Sequence, residues 1–494
     1  MKSYLAIILL IITSSISAFG APTEFRGAWV TAWSKGFLSP QEADETVRLA
    51  KEANINALFI QVRKVGDAYY NSSIEARAGN ISGGLDYDPL AYIIEKAHAA
   101  GIEVHAWLNT FRIWGAKDYP KDPNHIVNLH PEWLTRTSSG GLAGTEGLFL
   151  DPGVPEVQDY TYNVFVDVVK NYDIDGIHMD YIRYPGKNFG YAAPAVERFN
   201  METGRTGVPA NNDTLWQQWR RDQVTALVRR IYKGVNSIKP EVKVTAATVP
   251  WGDCSSSFGN TSAYSLVYQD WCRWMEEGIL DANIPMNYKK ESNPRNAREY
   301  RNWLNGFKRW QYSRQVYNGQ DFLQSPELVA QQLEAARKYG ADGMVGFAFN
   351  QSESRVKLVR ILKNGVFAEP AAVPEMPWKY SAHRKKSREL YAKAIDAATI
   401  GRDLDKAIGL LKEALIVDPH YIDASFRLGR CYMRKGMYDE AAKKFEEVLA
   451  ERPDYLSAKK NLDEVNKKIE SSKSDEAVPD TSSASGGEEQ QENK

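Results

Sequence analysis

The sequence predicts an α/β fold, a (β/α)8 barrel of the TIM type, followed by an all-α helical-repeat module. Three observations predict it. From Phe25 to Phe367 eight short apolar runs alternate with eight helical patterns, which implies parallel strands joined by crossover helices. One run, Ile174-Asp175-Gly176-Ile177-His178-Met179, ends abruptly in Asp180, Arg183 and Tyr184, with Pro185 and Gly186 just beyond. Parallel barrels carry their chemistry at such strand ends. Downstream, a 34-residue period appears that the first part of the chain lacks.

A chain of 494 residues suggests more than one domain, because single cores rarely grow past about 250 to 300 residues. Apolar residues make up 43% of the chain, ample for a core. The 62 basic and 63 acidic side chains nearly cancel, so no overall field favours nucleic acid or an anionic membrane as a partner. Recognition is expected from local sites.

Residues 1–21 read as a secretory signal: Lys2, the apolar run Leu5 to Ile12, then small residues through Ser17-Ala18-Phe19-Gly20-Ala21. The run is too short to span a bilayer, and no other stretch approaches the length needed. The mature chain is therefore expected to be exported, periplasmic or extracellular, without stable membrane insertion. Cys254, Cys272 and Cys431 are too few for a disulfide framework. Three buried free thiols are expected, with a Cys254 to Cys272 bond as the alternative.

The barrel is expected over residues 22–367. Its strands are read as Arg26 to Ala32, Ala57 to Val62, Glu103 to Leu108, Gly176 to Met179, Lys243 to Thr248, Ala282 to Pro285, Ser313 to Tyr317 and Gly343 to Phe349. Helical patterns cover Pro40 to Ala53, Pro89 to Ala100, Pro155 to Lys170, Leu215 to Ile238, Ala263 to Gly278, Arg295 to Trp310, Pro326 to Tyr339 and Ser352 to Lys363. Ser39-Pro40, Asp88-Pro89, Asn293-Pro294 and Ser325-Pro326 each set a capping side chain before a first-turn proline. Two long excursions, 109 to 154 and 187 to 214, are expected to build a substrate groove on the catalytic face.

Residues 368–383, with Pro370, Pro374 and Pro377, read as a linker. Beyond it Asp405, Ala407, Leu411 and Pro419 recur as Asp439, Ala441, Phe445 and Pro453, and Leu428-Gly429 with Tyr432 completes the second copy. That is tetratricopeptide spacing, in which small residues let two helices approach and proline ends the second. The repeats are expected over 384–470, capped by Tyr455 to Ile469. The Ser-, Gly- and Glu-rich segment 471–494 is expected to be disordered.

Several segments together resemble the bacterial glycosyl hydrolase-like 10 family. They are Phe25-Arg26-Gly27-Ala28-Trp29, Gln61-Val62-Arg63 with Gly66-Asp67-Ala68, Val104-His105-Ala106-Trp107-Leu108-Asn109, Leu150-Asp151-Pro152-Gly153, the Asp180 segment, and Pro285-Met286-Asn287-Tyr288. The resemblance spans roughly residues 24 to 365. It implies an exported barrel glycosidase and, as for some members, a peptidoglycan glycan strand as substrate.

Glycoside hydrolysis needs a proton donor with raised pKa and a carboxylate that attacks the sugar or activates water. Asp180 is the leading candidate; a rim aspartate paired with Arg183 is the competing reading. For the second carboxylate Asp67, Asp253 and Glu353 each follow a strand. Asp67 has the family motif behind it, whereas Asp253 has the aromatic neighbour Trp251. Asp151 reads as a turn residue, because Asp before Pro-Gly stabilises a turn.

Arg63, Asn109, Arg112, Arg183, Tyr184, Asn287 and Tyr288 are expected to line the same mouth as substrate-binding groups. The three arginines would suit a sugar bearing an acid, since a guanidinium grips carboxylates bidentately. Pairing with acids of the protein itself is the alternative. Trp33, Trp107, Trp114 and Trp251 offer rings for sugar faces, or for the core. His105 and His178, inside strands, read as core groups, and no Cys/His or His/Asp cluster has ligand spacing, so neither metal nor cofactor is expected. A Walker loop, a Gly-x-Ser-x-Gly elbow and a dinucleotide fingerprint are all missing from the sequence. The rival function is a non-catalytic polysaccharide-binding scaffold; in either reading the repeats would dock a protein partner.

Overall fold

The computed structural model describes residues 22–115, 118–142, 146–351, 355–379, 382–451, 453 and 455–476. The expected leader at 1–21, Glu353 and residues 477–494 lie outside the described residues. In chain order the strands are β1 (Phe25–Val30), β2 (Ala57–Arg63), β3 (Glu103–Asn109), β4 (Arg112–Trp114), β5 (Leu148–Phe149), β6 (Gly176–Asp180), β7 (Lys243–Thr248), β8 (Ala282–Pro285), β9 (Gln315–Asp321) and β10 (Gly343–Phe347). Eight of them close into a parallel barrel in the order β1-β10-β9-β8-β7-β6-β3-β2, while β4 and β5 form a small antiparallel pair on its rim. Asn109 and Asp180 are register partners at the ends of β3 and β6, so they stand at one height on the mouth.

The barrel interior is filled by rings. Phe25 stacks on Tyr317 with centroids 4.0 Å apart, and Phe59 lies 4.5 Å from His105. Above them Trp29 donates its indole N–H to His178 Nε2 (3.2 Å), and His178 Nδ1 reaches Thr245 Oγ1 at 2.9 Å. Burial holds the His178 imidazole well below its usual pKa, so it stays neutral and serves as a hydrogen-bonded core group. Gly176 begins β6 where a Cβ would lie 2.0 Å from the His105 ring; only glycine fits beside it.

Ser39, Asp88, Asn293 and Ser325 each accept a backbone N–H at the start of a proline-led helix. Segment 263–278 differs from the continuous helix expected. It splits into Ser262–Ser265 and Trp271–Glu276, with Tyr268 in left-handed backbone at φ 56°. The break frees Gln269, which bonds Val249 N at 2.8 Å and Ala247 O at 3.2 Å, tying down the chain beyond β7. An unforeseen helix, Ala193–Thr203, stands in the second excursion and ends at Gly204 with φ 68°. Cys431 is buried, whereas Cys254 and Cys272 are only partly so, and all three are free thiols.

Among the described residues five helices follow the barrel, Ala382–Thr399, Leu404–Val417, Ile422–Arg434, Tyr438–Glu451 and Leu456–Glu476. Gly429 lets the middle pair approach, because a Cβ there would meet the Phe445 ring at 2.8 Å. The last helix runs to Glu476, past Ser471 where disorder was expected to begin. No described helix is long and apolar enough to cross a membrane. The proline-rich segment before the repeats is packed against the barrel's closed end: Met376 is buried among the interior rings, Trp378 donates to Asp281 at 2.8 Å, and Lys379 pairs with Asp281 at 2.6 Å.

The repeats dock on that closed end through the first helix of each pair. Tyr391 donates to Glu277 O at 2.6 Å, Asp396 pairs with Lys233, Asp423 with Arg314 and Arg430 with Glu276. Glu277 itself is gripped by Arg229 at 2.6 Å and Arg273 at 2.7 Å.

Candidate active site

A cavity of about 420 Å³ opens at the carboxyl ends of the barrel strands. Trp29, Gln61, Trp107, Asn109, Asp180 and Phe347 form its floor, and Trp33, Arg112, Glu146, Tyr181, Arg183, Trp251, Tyr288 and Lys289 its walls. Trp33 and Trp251 are 51% and 41% exposed, with Lys64 4.8 Å from the first ring and Arg183 5.2 Å from the second.

Asp180 lies at the floor, 7% exposed. Its Oδ2 accepts the Trp107 indole N–H at 3.2 Å and its Oδ1 the Tyr181 backbone N–H at 2.7 Å. Tyr181 itself takes left-handed backbone at φ 49°, a conformation rare for a bulky residue. Burial pushes the Asp180 carboxyl up to about 6, against the lowering effect of the Tyr181 N–H, Arg183 and Trp107; the nearby charge of Glu146 pushes it further up. A carboxyl in that range exchanges protons near neutrality, as general acid–base work requires.

Glu146 is the second carboxyl among the described residues lining the cavity. It pairs with Arg183 at 2.9 Å, and its backbone oxygen accepts from Arg112 Nε at 2.7 Å. Gly147, at φ 102° where a Cβ would lie 2.1 Å from Trp114 O, makes the tight return that presents it. Sequence reasoning missed Glu146 because it follows no strand. Its one signal was a carboxylate inside the long excursion already assigned to the groove.

Asp180, Trp33, Trp107, Asn109, Arg112, Arg183, Trp251 and Tyr288 meet at the cavity, and Trp114 and five other expected residues do not border it. Asp67 is spent on a turn, its Oδ1 accepting Lys64 N at 3.1 Å and Val65 N at 2.8 Å. Asp253 is exposed and bonds Cys254 N at 2.8 Å and Asn302 at 2.9 Å. Arg63 is fully buried on Glu75 at 2.7 Å and donates to Thr110 O at 3.0 Å, which fixes the end of β3. Tyr184 turns inward to Asp151 at 3.2 Å. Asn287 donates to Tyr300 O and Asn318 Oδ1, both at 3.2 Å. Arg63, Tyr184 and Asn287 are buried on these partners, whereas Asp67 and Asp253 lie in loops beyond the strand ends. Asp151 Oδ1 accepts Gly153 N at 2.9 Å, closing its turn.

The sequence model for the glycosyl hydrolase-like 10 family matches residues 24–332, and that for a tetratricopeptide repeat matches 401–462. "Glycosyl hydrolase YngK" of Bacillus subtilis is 29% identical over 404 residues, 74% of this chain and 76% of that protein. "Glycosyl hydrolase DigH" of Escherichia coli O6:H1 is 31% identical over 259 residues, 47% of this chain and 54% of DigH, so the match spans about half of that relative. Among solved structures, the PgaB (BpsB) glycoside hydrolase domain from Bordetella bronchiseptica aligns at TM-score 0.52 and 13% identity, covering 69% of this chain and 98% of that one. α-L-Fucosidase isoenzyme 2 from Paenibacillus thiaminolyticus aligns at TM-score 0.50 and 15% identity, covering 76% and 56%. Both share the barrel fold.

Proposed function

Because the chain belongs to the glycosyl hydrolase-like 10 family and is a glycoside hydrolase, we propose that it cleaves a cell-envelope polysaccharide, the glycan strand of peptidoglycan foremost. The observation that carries the mechanism is Asp180, a desolvated carboxyl at the floor of a sugar-sized cavity with tryptophan rings at its rim. Asp180 holds the proton that the leaving oxygen needs. Glu146, partly solvated and paired with Arg183 at 2.9 Å, is the partner carboxylate that attacks the anomeric carbon or activates water. This division follows the rule that two carboxyls in contrasting environments take opposite roles.

Such a substrate lies outside the cytoplasmic membrane, in keeping with an exported chain that loses residues 1–21. A protein partner would meet the repeats on their second helices, Leu404–Val417 and Tyr438–Glu451, since the first helices already engage the barrel. The test is release of reducing ends from purified peptidoglycan glycan by the wild type and by Asp180→Asn. Loss of release in the variant is the expected result; equal rates would remove Asp180 from the mechanism, and no release by the wild type would remove this substrate.

A further inference from the structure

We infer that Arg112 reads a carboxylate on the sugar chain, so that the enzyme selects an acidic glycan; this rests on the glycan-cleaving reading above. Three guanidinium groups cluster near the mouth, and two are consumed by the protein. Arg63 is locked on Glu75 and Arg183 on Glu146. Arg112 commits only its Nε, to the Glu146 backbone oxygen at 2.7 Å, and no described carboxylate pairs with it. The undescribed residues nearest in sequence to Arg112 and Glu146, 116–117 and 143–145, include no acid.

Its guanidinium carbon lies 5.7 Å from the Trp33 ring centre and 5.4 Å from that of Tyr181, so aromatic faces hold the fork in place. Gly115 leaves room for it, because a Cβ there would lie 2.5 Å from Arg112 Nη2. The guanidinium thus borders the cavity beside the half-exposed Trp33, where a pyranose could present an acid to the fork. A bidentate guanidinium–carboxylate pair is the geometry that such a fork favours.

Charge around the cavity agrees. Glu146 and Arg183 neutralise each other, whereas Lys289, on the opposite wall, has its ammonium on the Pro250 carbonyl at 2.8 Å. Glu299 and Asp253 lie close enough to act on Lys289, so when Asp180 carries its proton Arg112 is the cation at the cavity that no described carboxylate pairs, and such a charge draws the opposite one. The acid is either a lactyl ether carboxyl or a uronate carboxyl; both present the same planar anion.

The test compares hydrolysis of a muramyl glycan and of a polyuronate, each native and with its carboxyls reduced to alcohols. For the wild type, reduction of the preferred glycan is expected to lower kcat/KM by about tenfold to a hundredfold, mostly through KM, as loss of a hydrogen bond to a charged group does. Arg112→Gln should lose a similar factor on the native glycan and respond equally to native and reduced forms, with Arg112→Lys in between. A variant that still discriminates native from reduced glycan as the wild type does would overturn the inference. Calorimetric binding of the same glycans to Asp180→Asn separates the two readings: carboxyl- and Arg112-dependent binding without turnover by the wild type would refute the hydrolytic reading alone. Binding indifferent to the carboxyl would refute the role of Arg112.

Discussion

Two buried carboxyls at opposite ends of the barrel show how one fold divides chemistry from stability. Asp180 at the mouth has aromatic rings around it and only N–H donors on its oxygens, and burial lifts its pKa to about 6. Glu277 at the closed end is equally buried, and burial alone would lift it too, but Arg229 and Arg273 hold it down to about 2. A carboxyl raised above its unfolded value gives stability that is fully present only in acid and is lost as pH rises through about 6, so ionised Asp180 costs the fold at neutrality. A depressed carboxyl works the other way: Glu277 stabilises at neutral pH and loses that contribution as pH falls through about 2. The mouth bears strain that the base does not.

Breaking the mouth should have the larger effect on turnover. Asp180→Asn is expected to lower kcat by about a thousandfold, within the range for loss of a general acid, and to raise stability at pH 7 by about 1–2 kcal/mol because the cost of charging a buried group disappears. The gain should vanish below about pH 4, where the wild-type carboxyl is also neutral. Chemical denaturation of both proteins at two pH values checks this; equal or lower stability of the variant at neutral pH would contradict the burial argument. Breaking the base should do the reverse. Glu277→Gln leaves the buried Arg229 without its charge partner, while Arg273 keeps Asp222 at 2.7 Å, and is expected to cost about 3–5 kcal/mol of stability, with turnover per folded molecule unchanged.

The same contrast explains what was legible in the sequence. Strand and helix periodicity is local, so the eight-unit barrel and its proline-led helices could be read directly, as could Asp180 at the end of an apolar run. Glu146 could not, because its place depends on β4, β5 and the turn at Gly147 folding back over the mouth. Arg63 and Asn287 sit in family motifs yet turn inward, and only their partners Glu75 and Tyr300 reveal it. At the base, Glu277 and Asp423 resemble ordinary helix-end charges until barrel closure brings Arg229 onto the first and docking of the repeats brings Arg314 onto the second.

Glu146→Gln sharpens the comparison through pH. With Asp180 as the acid, kcat/KM should fall as pH rises through about 6. Removing the Glu146 charge withdraws a neighbour that raises Asp180 and releases Arg183 to lower it, so the alkaline limb of the residual activity should move to lower pH. An unmoved limb, or activity that rises through this range, would assign the proton to another group.

The smallest expected effect belongs to Trp33. Its ring is half exposed, with Lys64 Nζ 4.8 Å away on one side and Arg112 on another, so it contributes contact area to the cavity and little to the core. Trp33→Ala should raise KM by about threefold to tenfold, the loss of one aromatic contact of about 0.5–1.5 kcal/mol, with little change in kcat or in melting temperature. A kcat loss comparable to that of Asp180→Asn would mean that the ring, through Arg112, helps set the acid itself. The mouth would then be a coupled unit, like the ion-paired base beneath it.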